Sequence, residues 1–163
     1  MTSDLQIVGF RIGKEMFGVS IALVHEIVRV PEVTAVPEAP EYVEGVINLR
    51  GRIVPVVDLR KRFAEQHITS DRKNRILVTE VDKRTVGVIV DATSEVLKLK
   101  AEQVEPPPTD LIQAGETTYI TGIARVKDRL IILVDLKKIL TTSGLGHLSM
   151  TGELAPATAT LAV

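Results

Sequence analysis

A chain of 163 residues, 45 % of them hydrophobic, can bury the core of one ordinary domain or of two small subdomains. Twenty Lys and Arg against 21 Asp and Glu leave a net charge of −1, so no bulk field draws the chain to phosphates or anionic lipid; the lack of cysteine excludes disulfides, thiol nucleophiles and thiolate metal sites. No apolar run approaches the roughly 20 residues of a membrane span, and Leu5 to Ile12 alternates like a strand rather than a secretory signal. These features describe a cytoplasmic protein with no direct membrane insertion, whose partners are recognised locally.

Gln6, Val8, Phe10 and Ile12 alternate with Ile7, Gly9 and Arg11, and after the turn signal Gly13-Lys14 the run Met16 to Ile21 predicts the return strand of a hairpin. From Ala22 the spacing of Leu23/Ile27 and Val24/Val28 predicts a short helical turn, then a strand that stops at Pro31. Pro31, Pro37 and Pro40 mark an extended surface loop. Residues 42–63, YVEGVINLRGRIVPVVDLRKRF, read as strand, tight turn at Arg50-Gly51, second strand and short helix capped by Asp58. Pro55, which cannot donate to a ladder, points to an edge strand or a bulge. The polar stretch 64–73 is the natural linker.

The second half replays the first. NRILVTEVDKRTVGVIVDATSEVLKL aligns with residues 5–30 at an offset of 69, pairing Gly18 with Gly87 and Glu26 with Glu95; YITGIARVKDRLIILVDLKKIL at 119–140 aligns with 42–63 at an offset of 77. The change of offset places a longer loop around Pro106-Pro107-Pro108 in the second unit. Repeat unit one is 5–63, unit two 74–140, and the Ala-, Thr- and Gly-rich tail 142–163 reads as flexible. Two units of about five short strands predict an all-β fold of two small antiparallel barrels related by pseudo-twofold symmetry, joined by an apolar seam that strand exchange could reinforce.

Enzymatic signatures are missing: there is no phosphate loop, no G-x-S-x-G elbow, and Gly144-x-Gly146 lacks a third glycine and a preceding strand. His25, His67 and His147 stand singly, without metal-ligand spacing, and Asp58 and Asp135 read as helix caps rather than an acid/base dyad. No catalytic residue, cofactor or metal is expected. Arg60, Lys61, Arg62, Arg72, Lys73 and Arg75 cluster in sequence and raise a nucleic-acid module as the alternative, but the few aromatics occupy positions that read as buried, so the basic residues read as a solvated helix and linker. The halves differ at the first turn, where Asn48-Leu49-Arg50-Gly51 is answered by Arg125-Val126-Lys127-Asp128; Arg50 offers a planar fork to a partner carboxylate or carbonyl.

At these residues the sequence resembles the CheW family of bacterial chemotaxis coupling proteins, most specifically in GVINLRGRIVPVVDLRKRF at 45–63, with FGVSIALVHEIVRV at 17–30 and VGVIVDATSEVLKLKAEQVEPPP at 86–108 in support. The resemblance spans 5–141. It implies two five-stranded barrels around a shared core, and a non-enzymatic adaptor joining chemoreceptor cytoplasmic tips to the regulatory domain of the CheA histidine kinase, in flagellar chemotaxis or in a gliding or twitching array. Arg50 carries over as an interface residue, as do Asn48 in the same NLRG turn and the hydrophobic and acidic positions Ile21, Val24 and Glu26. The resemblance implies location at membrane-associated receptor arrays through those partners, and no nucleic-acid role.

Overall fold

The computed structural model describes residues 4–39, 43–63, 68, 70–108 and 119–142. Half of the predicted linker (64–67 and 69), residues 109–118, Pro40, Tyr42, His67, His147 and the tail beyond Thr142 lie outside these residues. The first half contributes β1 (Leu5–Ile12), β2 (Glu15–Ser20), a 3-10 turn at Ile21–Leu23, β3 (Val24–Arg29), β4 (Val43–Leu49), β5 (Arg52–Asp58) and the short helix α1 (Leu59–Arg62). The second half contributes β6 (Arg75–Val81), β7 (Arg84–Val90), β8 (Ala92–Leu99), the two-residue β9 (Val104–Glu105), β10 (Ile120–Val126), β11 (Arg129–Val134) and α2 (Leu136–Thr142).

The strands form two sheets, ordered β3-β6-β7-β5-β4 and β8-β1-β2-β11-β10-β9. Each half lends its first hairpin to the other half's sheet. Replacing every strand by its repeat equivalent converts the first order into the second, β9 apart, and the register survives the exchange: Val56 faces Gly87 across β5 and β7, as Leu133 faces Gly18 across β11 and β2. The pseudo-twofold symmetry of the sequence is therefore a symmetry of pairing. Both of these contacts are parallel, which corrects the all-antiparallel expectation; strands that meet through an exchanged hairpin are not joined by a tight turn, and their sense is free.

Each sheet curls until its edges meet. The chain leaving β3 pairs with β4 through Thr34, whose backbone N–H and C=O both bond Val46 at 2.9 Å. Gly45 makes this approach possible: its φ is +145°, and a Cβ there would lie 1.9 Å from the Thr34 carbonyl oxygen. Pro55 sits in β5, an interior strand rather than an edge. Val46, its cross-strand neighbour, spends its backbone groups on Thr34, so Pro55 belongs to a non-hydrogen-bonded pair, and the ladder to β7 begins only at Val56.

Three apolar clusters follow. One lies inside each sheet, around Ile47, Val54, Val56 and Ile76 in one and around their repeat equivalents Ala124, Ile131, Leu133 and Ile7 in the other. The largest forms the seam between sheets and takes Phe10, Val57, Leu59, Val88, Leu136 and Ile139 from both halves. A run of rings, Phe10, Phe17, Phe63 and Tyr119, crosses it with centroid separations of 5.8, 5.0 and 5.4 Å. The four aromatics among the described residues are thus consumed by packing. The helical turn expected after Ala22 is only the 3-10 turn, and Leu23/Ile27 do not share a helical face, because β3 already begins at Val24 to pair with β6.

Candidate protein-interaction site

The β4–β5 hairpin turns through two left-handed residues, Arg50 at φ 51° and Gly51 at φ 86°, as a two-residue hairpin loop requires. Asn48 Oδ1 accepts the Gly51 N–H at 2.9 Å and fixes the turn. Arg50 then reaches across to the far edge of the sheet, where its guanidinium donates to the Glu26 carboxylate on β3. The Arg50 side chain is 68 % exposed and that of Glu26 31 %. The structure therefore brings Arg50, Glu26 and Asn48 together. Ile21 and Val24 are half-buried and pack against the seam instead, so they support the first unit from behind rather than stand on its open surface.

The second unit closes differently. Arg125, equivalent to Asn48, donates through Nε to Glu105 on β9 at 2.8 Å, and that hydrogen bond and charge raise its pKa further above the usual guanidinium range. Lys127, equivalent to Arg50, again takes the left-handed position at φ 50°; Asp128 does not share it. Each unit ties its rim with an Arg–carboxylate pair, but only in unit one does the cation stand at the turn tip.

Four of the six large exposed apolar side chains among the described residues form two repeat-equivalent pairs, which sequence reading missed. Ile53 on β5 is 68 % exposed and its counterpart Leu130 on β11 is 57 %; Ile27 on β3 and Val96 on β8 form a second such pair. The available signal was the period of two: Val54 and Val56, like Ile131 and Leu133, point inward, which sends their neighbours Ile53 and Leu130 outward.

The basic cluster at 60–75 is not a single free patch. Arg60 is buried, and burial alone would lower its pKa, but hydrogen bonds and charge from Asp58 and then Asp91 outweigh it and raise it. Lys61 pairs with Glu44 at 2.6 Å, and Arg62 lies over the Tyr119 ring at 5.9 Å. The solvated-helix expectation is wrong for Arg60, whereas Arg72 and Lys73 are exposed, as a solvated linker requires, and Arg75 bonds the Arg72 and Asn74 carbonyls. Asp58 caps α1 by accepting the Arg60 N–H at 3.0 Å, while Asp135 reaches the Lys138 N–H at 3.4 Å. His25 sits at the surface against Glu80. Among the described residues no cluster of His, Asp or Glu could hold a metal ion, and no helix is long and apolar enough to cross a membrane.

The family model of the CheW-like domain matches residues 6–144. The chain belongs to the CheW family. It is 40 % identical over 133 residues to the chemotaxis protein CheW of Klebsiella aerogenes, covering 82 % of this chain and 80 % of that one. It is 34 % identical over 150 residues to the CheW of Treponema pallidum, covering 90 % and 88 %. The crystal structure of the scaffolding protein TtCheW from Thermoanaerobacter tengcongensis superposes with a TM-score of 0.75 at 38 % identity, over 83 % of this chain and 92 % of that one. CheW membership accounts for the two-sheet architecture.

Proposed function

We propose that the chain couples the cytoplasmic tip of a chemoreceptor to the regulatory domain of a CheA-type histidine kinase, with Arg50, Glu26 and Asn48 at a recognition rim backed by Ile21 and Val24. Membership of the CheW family makes it a chemotaxis scaffold, not an enzyme. The observation that carries the site assignment is the Arg50–Glu26 pair, a solvent-facing guanidinium on a left-handed turn residue, where Lys127 in the second unit shares the backbone conformation but offers an ammonium instead of a planar fork. A surface pair of this kind adds little stability, whereas a guanidinium already desolvated on one side is suited to meet a second carboxylate or carbonyl. Exposed Ile27 and Ile53 on the same barrel supply the apolar contact that a polar rim alone lacks. Val96 and Leu130 repeat it on the other barrel, so a chain bridging two partners has a face for each.

The test is a titration of Arg50→Glu and Lys127→Glu against a receptor-tip peptide and, separately, the isolated kinase regulatory domain. Loss confined to Arg50→Glu, with an unchanged melting temperature, supports the rim. Equal small losses for both variants on both partners would reduce Arg50 to an ordinary surface cation.

A further inference from the structure

A cationic cluster stands at the end of the first barrel away from the Arg50 turn. β3 ends at Arg29 directly opposite Arg75, where β6 begins. Arg75 folds its guanidinium back, donating through Nη1 to the Arg72 and Asn74 carbonyls at 2.7 and 2.8 Å. The turn that carries Arg72 and Lys73 is built, not loose: Asp71 Oδ1 accepts the Lys73 N–H at 2.9 Å, and the Asp71 carbonyl accepts the Asn74 N–H at 3.0 Å. Buried Asn74 then donates to the Asp91 carbonyl at 3.1 Å. Arg29, Arg72 and Lys73 are exposed and Arg75 is half-buried, and none of the four makes an ion pair with the described residues.

The fold itself does not require this. Like charges set opposite one another on paired strands are destabilising. The second unit avoids them at the same positions, where Gln6 lies opposite Lys98 as Arg75 lies opposite Arg29. Lys98 there has its acid, Asp4, at 3.9 Å, and the residue at an offset of 69 from Asp4 is Lys73, a reversal of charge. Near the first unit's cluster the acids are Asp71, whose Oδ1 is taken by its own turn, and Glu32, exposed beyond the end of β3. Four cations against two acids leave an excess of two positive charges on this end of the barrel.

Two further features define what the cluster fits. Ile27, 38 % exposed, stands two residues from Arg29 on the same outward face of β3, so apolar contact adjoins the charges. Arg72 also lines a cleft of about 550 Å³, shared with Val30, Pro31 and Ser70, in which the Glu44 carboxylate is already held by Lys61 at 2.6 Å. A lipid surface is too flat to use the cleft, and with the four described rings packed away no stacking platform serves a nucleic acid. We infer that this end of the first barrel binds an acidic segment of a partner protein. Its carboxylates meet Arg29, Arg72, Lys73 and Arg75, three of them planar forks suited to two-pronged contact. Its apolar side chains lie against Ile27 and the wall of Val30 and Pro31. The charges lie apart from the Arg50 rim, so this reading and the one above can fail independently.

The probe is a fluorescein-labelled peptide of Glu-Glu-Leu repeats, titrated with the full chain and followed by fluorescence anisotropy. Saturable binding is expected, weakening as ionic strength rises from about 0.05 to about 0.2 M. The variant carrying Arg29→Glu and Lys73→Glu should bind at least roughly tenfold more weakly. Its melting temperature should not fall, because Arg29→Glu turns a like-charged cross-strand pair into an opposite one. Lys98→Glu, the repeat equivalent, should leave affinity within about twofold of the parent. Replacing every glutamate of the peptide by glutamine should cost at least about tenfold. Absence of saturable binding to the folded parent, equal losses in Lys98→Glu, or undiminished binding of the glutamine peptide overturns the inference. So does tighter binding to phosphatidylserine vesicles or to a single-stranded oligonucleotide that the double variant abolishes, which would assign the cluster to phosphate.

Discussion

Exchanging the two charges of the Arg50–Glu26 pair separates the stability of the rim from its recognition. With the side chains 68 % and 31 % exposed, the ion pair contributes about 0.2–1 kcal/mol to folding, so Arg50→Glu, which sets two carboxylates face to face, should lower the melting temperature by no more than about 4 °C in a domain of this size. If Arg50 also meets a partner carboxylate or carbonyl in a desolvated contact, the same substitution removes roughly 2–5 kcal/mol of binding, about 30-fold or more in affinity. The doubly exchanged variant, Glu26→Arg with Arg50→Glu, rebuilds the intramolecular pair with reversed sense. It should recover the melting temperature and fail to recover affinity, because the group presented to the partner is still an acid. Calorimetric titration of the parent, both single variants and the exchanged variant, each with a thermal melt, forms a complete cycle. Recovery of affinity in the exchanged variant would refute the reasoning, since it would show that only the closure of the barrel mattered.

Asp58→Ala should cost about 3–5 kcal/mol, because it leaves Arg60 buried with one carboxylate fewer, whereas Asp135→Ala should cost about 1 kcal/mol as the loss of a cap; chemical denaturation of the two variants measures the contrast. Gly45→Ala drives a Cβ to 1.9 Å from the Thr34 carbonyl oxygen at a φ of +145° and should destabilise by about 3 kcal/mol or more; Gly122→Ala, whose nearest neighbour is the Val104 side chain at 3.0 Å, should cost less in the same assay. Arg50→Asn suits the left-handed turn position better than arginine and should leave the melting temperature within about 2 °C of the parent while weakening partner binding in the titration above.

What could be read in the sequence was what neighbouring residues decide. The alternation in β1, the left-handed turn at Arg50-Gly51 and the Asp58 cap depend on side chains within a few positions of one another, and the repeat exposed each of them twice. The resemblance carried over Arg50 and Glu26, which the structure joins across 24 residues of sequence. Contacts set by the closed sheets were not legible. Pro55 pointed to an edge strand or a bulge because its missing N–H is a local fact; the strand is interior, the β4–β5 register shifts one pair away between Val43 and Gly45, and the contact that makes the loss harmless, Thr34 bonded to Val46, is assembled by barrel closure. Arg60 looked solvated because it follows Asp58 in a run of cations; its burial depends on Asp91, 31 residues away. The helical spacing of Leu23 and Ile27 was overridden by pairing with β6, since tertiary ladders outweigh a single turn's propensity.

The exchange of hairpins explains why neither unit needs a complete core of its own. Each sheet holds strands from both halves, so neither the cluster around Ile47, drawn from residues 47–89, nor the one around Ile131, which needs Ile7 from the start of the chain, can form within one half, and separating the halves would open both sheets at once. Such a fold has no reason of its own to keep Ile53 and Leu130 outward. At this exposure each forgoes about 1–2 kcal/mol of the transfer free energy that a buried position would supply, and a polar residue would satisfy the same strand. The repeat preserves the exposed apolar position in both units while letting the adjoining polar rims diverge, Arg50–Glu26 in one and Arg125–Glu105 in the other. A structural requirement would keep the rims alike and leave the exposed positions free to vary. The opposite pattern fits a chain in which two related faces are kept adhesive and their rims decide what each face admits.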